Sequence, residues 1–314
     1  MRSTFFLPVG ILVSFLAAWF LPEAGRFLAD RGAVPAAVIV IFLCNGYTLS
    51  IGKGVRKYHL LRAFLMGLFL SLIICPLLTS LLLRVIAVHR YLIMGLIVMA
   101  AMPPTTSSAI VVARLSGGDA AWAVLLTIGL NLTGVFILPY TLGHTLGGTV
   151  TVGVPVLGIL VKLILLVLLP AAVGVGLRRL IRRPLPSAGR QIPSLSVLVL
   201  LFAFNGRSHD MLASLDLSVV PLIAVCAAAV HLGLLALNTL AARLLKLSTA
   251  ERHSYIFVCS QKTLPLALTV LGLLLPRPGL AVIPCVVFYY FQLLSDSLWA
   301  GYLRRRIKAE AVRT

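Results

Sequence analysis

Acidic side chains are scarce in this chain: eight Asp and Glu among 314 residues. Charged residues of both signs reach only 11%, against about a quarter in ordinary soluble domains, which excludes a conventional water-exposed globular surface. Enzyme signatures are missing as well. The six histidines, His59, His89, His144, His209, His231 and His253, form no HExxH pair, and only His231 falls well inside an apolar run. No GxSxG elbow, P-loop or dinucleotide fingerprint is present. The five cysteines, Cys44, Cys75, Cys226, Cys259 and Cys285, make no CxxC pair and all sit in apolar runs. They read as small buried hydrophobes and not as a disulfide or metal set.

What the chain does have is apolar length. Hydrophobic residues make up 60% and the mean hydropathy is +1.07. Ten apolar runs fall at 4–21, 33–50, 61–83, 91–116, 120–140, 154–176, 192–206, 217–242, 254–275 and 279–303, most of them near the ~20 residues that cross a bilayer as helix. The expected fold class is an all-α integral membrane protein of ten transmembrane helices. Arg2 ahead of the first run has the outline of a signal peptide, but removing that run would leave nine spans and spoil the symmetry described next.

The net charge of +19 is explained by topology and not by nucleic acid. Threading ten spans puts nineteen basic loop residues on the side of both termini and six on the other, with Lys162 and Lys262 inside spans. The positive-inside rule then makes both termini cytoplasmic, in a bacterial-type inner membrane, and residues 306–314 become a cytoplasmic basic tail.

A faint internal repeat runs through the chain. Phe42-Leu-Cys-Asn45-Gly46 is echoed by Phe202-Ala-Phe-Asn205-Gly206, and the polar break Met102-Pro-Pro-Thr-Thr-Ser-Ser108 by Ser260-Gln-Lys-Thr-Leu-Pro265. The halves are 1–145 and 150–305, joined by a Gly-rich connector. Five spans per half is odd, so the second half enters the membrane inverted, and the fourth and ninth helices are the discontinuous ones. Inverted repeats with a broken helix in each half are a signature of secondary transporters. Pro103 and Pro104 suit the first turn of a half-helix running from Thr105 to Arg114, whose N-terminal amides would favour an anion. Thr105, Thr106, Ser107 and Ser108 add hydroxyls. One such break is as easily a kink with Ser and Thr bonded to the preceding turn; two at matching positions favour a site.

Other polar residues within spans are few, and such residues are read as functional first. Thr127 and Asn131 share a face of the fifth span. Tyr289, Gln292, Ser295 and Asp296 form a stripe on the tenth, where Asp296 is the only acid within a span and a structural partner for a cation is the simpler reading. Asn45 and Asn205 read equally as helix terminators before glycine and as cavity residues. Lys162 can snorkel to the headgroups, whereas Lys262, in the second break, needs a partner or a task.

The stretches AMPPTTSSAIVVARLSGGD, VKLILLVLLPAAVGVGLRR, CSQKTLPLAL and FYYFQLLSDSLWAGYLRRR resemble the bile acid:sodium symporter superfamily. The resemblance is to its SBF-like branch, which includes the orphan seventh member of solute carrier family 10, and it spans essentially the whole chain. It implies a core domain in which the two broken helices cross, packed on a panel domain. It also implies sodium ions held by hydroxyls and amides of the fourth and fifth spans with a glutamate and glutamine of the ninth. Carried over, Thr105, Thr106, Ser107, Ser108, Thr127 and Asn131 match the first group, and Ser260, Gln261 and Thr263 the second. Ser107, Ser108, Thr127, Asn131 and Gln261 are the candidate sodium ligands. Lys262 stands about where those relatives keep the acid, which argues against sodium coupling and leaves Na+ or H+ as the coupling ion.

The expectation is a secondary transporter of a small amphipathic organic anion, a carboxylate or sulfate, working by alternating access with no other cofactor. The alternatives are a non-transporting membrane regulator of the same fold and, more weakly, an intramembrane enzyme. The lipid bilayer and the anion are the expected partners; no oligomeric state is assigned.

Overall fold

The computed structural model describes residues 6–48, 57–84, 89–106, 108–147, 156–186 and 189–313. Ser107, three of the cytoplasmic-side cations (Arg2, Lys53 and Arg56) and the connector residues 148–154 lie outside the described residues. Among those described, the only regular structure is helical. In chain order the helices are α1 (Phe6–Phe20), α2 (Pro22–Asp30), α3 (Ala33–Thr48), α4 (Lys57–Leu68), α5 (Cys75–Leu83), α6 (Arg90–Ala101), α7 (Ser108–Leu115) and α8 (Ala120–Leu146). They continue as α9 (Val156–Leu163), α10 (Leu169–Ile181), α11 (Ile192–Arg207), α12 (His209–Ala213), α13 (Val219–Leu244), α14 (Thr249–Ser260), α15 (Leu264–Leu274) and α16 (Gly279–Arg313).

Six continuous stretches are long and apolar enough to cross a bilayer: Tyr58–Leu83, Ala120–Leu146, Val156–Ile181, Val219–Leu244, Thr249–Leu274 and Gly279–Arg306. A seventh would combine α1 and α2, which meet at 101°. The corner is local chemistry: Pro22 has no N–H to give the preceding turn, and Leu21 leaves helical geometry at φ −127, ψ 53. Three shorter apolar helices are α3, α6 and α11.

The chain divides into two compact units, each drawn from three separated stretches. The first comprises 1–49, 155–217 and 265–283; the second comprises 50–154, 218–264 and 284–314. Two of the boundaries fall at prolines inside long apolar helices, Pro265 and Pro284.

In the first unit the helices pack backbone to backbone. A Cβ on Gly46 would lie 2.0 Å from the Ala171 carbonyl oxygen, and one on Gly174 would lie 2.1 Å from that of Leu43, so α3 and α10 approach to a separation only glycine permits. Gly206 does the same against Gly25. Lipid tails are as apolar as leucine, so between membrane helices such van der Waals contact, and not hydrophobic burial, drives association. The echoed Asn-Gly pairs therefore have a packing role in their glycines. Neither asparagine terminates its helix, as one reading of the sequence had it: α3 runs on to Thr48 and α11 to Arg207.

In the second unit, α8 starts at Asp119, whose carboxylate accepts from the N–H groups of Ala121 and Trp122. Ser248 and Glu251 form a capping box at the start of α14, which satisfies amides the first turn leaves free. Between α4 and α5 the span widens into a π-helical turn, Phe69–Ile74, two residues before Pro76. Proline cannot donate to the preceding turn and its ring crowds it, and a π turn is one way a helix absorbs that. A second π turn, Ile164–Leu168, precedes Pro170 in the first unit in the same way.

Replacing Gly174 by alanine should lower the melting temperature of the purified protein and its monodisperse fraction, at an overpacking cost of about 1–3 kcal/mol. Gly176→Ala, two residues on with nothing within 4 Å of the added carbon, should leave both unchanged.

Candidate functional site

The irregular straps of both breaks, Met102–Thr105 and Gln261–Thr263, lie in the second unit, and there they meet. Met102 turns the chain extended at φ −66, ψ 146, because a residue before proline is kept out of the helical region. The segment Met102–Thr105 is irregular and the new half-helix starts only at Ser108. This corrects the expected start at Thr105: Pro103 and Pro104 lie in the extended strap ahead of the half-helix and not in its first turn, since each proline also biases its predecessor away from helix. In the other break α14 stops at Ser260, Gln261 is extended at φ −76, ψ 150, and α15 begins at Leu264 with Pro265 in its first turn.

The Thr263 N–H donates to the Pro103 carbonyl at 3.0 Å, tying the two straps together. Several other backbone groups of the region are taken up by side chains. Asn131 donates from Nδ2 to the Pro104 carbonyl at 2.9 Å. Gln292 accepts from the Lys262 N–H at 2.9 Å and donates to the Lys262 carbonyl at 2.7 Å, replacing the helical partners of that residue. Gln261 N–H still reaches back to the Phe257 carbonyl. Thr105 Oγ1 accepts from the Ala109 N–H at 3.0 Å and so serves the first turn of α7. Water is missing from hydrocarbon, so each of these groups left alone would cost several kcal/mol.

A chain of buried side chains runs outward from Gln261. Its Oε1 accepts from Ser108 Oγ at 2.8 Å and from Thr105 Oγ1 at 3.3 Å, and its Nε2 donates to Asp296 at 2.8 Å. The other Asp296 oxygen lies 2.9 Å from His231 Nε2. Asp296, His231 and Gln261 are all wholly buried. The His231 ring stands edge-on to Phe288 and Phe291.

Lys262 does not meet Asp296. Its ammonium group is fully buried and donates to the Ser71 carbonyl at 2.6 Å and to Ser71 Oγ at 2.9 Å. Pro76 explains why that carbonyl is open. In the π turn each N–H reaches five residues back, as Cys75 does to Leu70; the residue that would reach Ser71 is Pro76, which has no N–H. The α-helical partner that Pro76 also deserts, the Leu72 carbonyl, accepts from Thr141 Oγ1 at 3.3 Å. One proline thus frees two carbonyls, and one of them holds the lysine. Among the described residues Lys262 makes no ion pair within 4 Å; Asp296 pairs with His231.

The sequence-selected residues divide accordingly. Pro103, Pro104, Thr105, Ser108, Asn131, Gln261, Lys262, Thr263, Gln292 and Asp296 form one network. Ser260 joins it sideways by accepting from Asn238 Nδ2 at 3.1 Å. Thr127 Oγ1 donates back to the Ala123 carbonyl and receives nothing from the straps. Thr106 sits half-buried at the bend. Asn45 and Asn205, in the first unit, take no part; Asn205 is buried with both side-chain polar atoms unpartnered beside a cavity of about 150 Å³ lined also by Trp19 and His209. Ser71, Pro76, Thr141 and Asn238 were missed. Pro76, a lone proline within an apolar run, was the available signal.

Of the candidate sodium ligands, Ser108 and Gln261 meet, with Thr105 beside them, while Thr127 and Asn131 direct their donors to helix carbonyls; Ser107 lies outside the described residues. The Lys262 amine lies on the same strap as Gln261, bonded to Ser71.

Residues 5–305 match the model of the SBF-like CPA transporter family. A relative in Arabidopsis thaliana named "Probable sodium/metabolite cotransporter BASS4, chloroplastic" is 30% identical, over 96% of this chain and 73% of its own length. Proteins named "Sodium/bile acid cotransporter 7" in Danio rerio and Mus musculus are 26% and 25% identical, over 83% and 95% of this chain and 81% and 91% of theirs. The family and these relatives are transporters and not enzymes. With its apolar helices, its joined breaks and a match along nearly its whole length, the chain belongs to the SBF-like CPA transporter family.

Proposed function

We propose that this protein is a secondary transporter that carries a small amphipathic organic anion by alternating access, with Lys262 providing at the crossing the positive charge that sodium provides in sodium-coupled transporters. The observation that carries this reading is the fully buried Lys262 ammonium beside the joined straps. A lysine held in the bilayer interior by a carbonyl and a hydroxyl is costly, and an anion bound nearby offsets that cost. The positive end of the α7 dipole favours the same sign of ligand.

The six long apolar stretches, the bent pair and the three shorter apolar helices support ten membrane segments in two inverted five-helix repeats, 1–145 and 150–305, followed by the basic tail 306–314. Each compact unit draws on both halves of the chain, as intertwined inverted repeats require, and the two units suit the roles of panel and core. The distribution of loop arginines and lysines supports cytoplasmic termini in a bacterial-type inner membrane. A reporter enzyme that works only in the periplasm should be inactive when fused after Thr314, and a fluorescent protein at the same place should be bright; the opposite pair of results would end the ten-segment reading.

Coupling is tested by ion replacement. Uptake of organic anions into proteoliposomes should be unchanged when choline replaces sodium, and Lys262→Ala should reduce it about tenfold or more, the scale of one lost charge-assisted hydrogen bond. If the amine releases its proton during the cycle, an imposed pH gradient will drive uptake; if it stays an ammonium, the gradient will have no effect. A steep sodium dependence together with a fully active Lys262→Ala would refute the role given to this residue.

A further inference from the structure

A second candidate site lies in the same unit, about 12 Å along α14 from the crossing at 1.5 Å per residue. Here α13 ends, α14 begins and the apolar stretch of α16 ends, so three spans reach one membrane face together. They enclose a cavity of about 600 Å³ lined by Arg243, Arg252, His253, Trp299, Tyr302 and Arg306, among others. Among the described residues no acidic side chain lines it. Glu251, next in sequence, is turned to its capping box and lies 3.7 Å from His59. The Arg252 guanidinium donates one N–H to the Leu247 carbonyl at 3.3 Å, while its buried Nε has no partner. His253 is fixed by donating from Nδ1 to the Ser116 carbonyl at 2.6 Å, and the Trp299 indole by edge-on contact with Phe257.

We propose that this cavity binds the phosphate of an anionic lipid headgroup. Arginine forks match phosphate oxygens in pairs, and three arginines line this one cavity. Two observations favour lipid over free phosphate as the source. The cavity lies at the ends of three apolar stretches, the place where tryptophan and tyrosine concentrate and where basic pockets between membrane helices take phospholipid heads. Leu240, Leu244 and Leu298, on two of the same helices, are exposed and offer an apolar surface along which acyl chains would lie. The site is distinct from the crossing, and the proposal stands whether or not the chain transports an anion.

The test uses the purified full chain, with lipid binding read by native mass spectrometry and thermal stability. Phosphatidylglycerol should bind and stabilise more than phosphatidylcholine. The double variant Arg243→Gln/Arg252→Gln should lose that preference, by about fivefold in affinity per arginine, whereas Arg179→Gln, outside the cavity, should retain it. Should the double variant not elute as a folded species, Arg252→Lys, which keeps the charge but not the fork, should still show a partial loss. An unchanged preference in the variants, or equal binding of the two lipids to the wild type, overturns the proposal. Inorganic phosphate that stabilises as well as the lipid, at equal phosphate concentration, overturns the lipid source and assigns the cavity to a soluble phosphate.

Discussion

Irregular backbone survives inside a membrane only if every polar group in it finds a partner within the protein, and the second unit is arranged around that requirement. Two straps of chain leave the helical state close together. Their N–H and carbonyl groups are met by each other, at Thr263 and Pro103, and by amide side chains from neighbouring helices, Asn131 and Gln292. Glutamine and asparagine suit this work because each carries a donor and an acceptor, so Gln292 can serve both the N–H and the carbonyl of Lys262. The polar side chains of the region are first of all the substitute for helix hydrogen bonds. What remains after that accounting is the Lys262 ammonium and the chain from Ser108 through Gln261 and Asp296 to His231.

Much of this was legible in the sequence because polarity is conspicuous against an apolar background. The two breaks, Lys262, Gln292 and Asp296 were found by asking which residues pay most for being in hydrocarbon. Their partners were harder to see. Nothing in the spacing of His231 and Asp296, 65 residues apart, announces a hydrogen bond, and Lys262 could have met Asp296 as easily as Ser71 on composition alone. Ser71 is a plain serine in an apolar run; its importance comes from its carbonyl, and that is exposed by Pro76 five residues later. Backbone acceptors have no letter in a sequence. The start of α7 was misplaced for a related reason: Pro103 and Pro104 each fit a first helical turn taken singly, but in tandem each also holds the residue before it extended.

The two units rest on different physics. In the first, glycines bring α3 and α10 into backbone contact, so shape and dispersion forces set the geometry and few polar atoms are involved. The exposed ion pairs there, Arg26 with Asp210 and Arg207 with Asp30, contribute little, as solvent-screened pairs do. In the second, the geometry is set by directional hydrogen bonds among buried groups, each of which is expensive to leave unmade. A methyl group in the wrong place is the threat to the first unit; a missing donor is the threat to the second.

Gln292 and Asp296 are one helical turn apart on α16, and they hold Lys262 and Gln261 in that order. Sliding α16 by one turn would put a carboxylate, which only accepts, opposite the Lys262 carbonyl, and Ala300 opposite the Gln261 amide. The carboxylate would still accept from the Lys262 N–H but would leave its carbonyl unmet, and alanine gives the Gln261 amide no partner. The order amide then acid therefore acts as a ratchet tooth that gives α16 a single longitudinal setting against the strap, so any working motion that involves this helix must carry the strap with it.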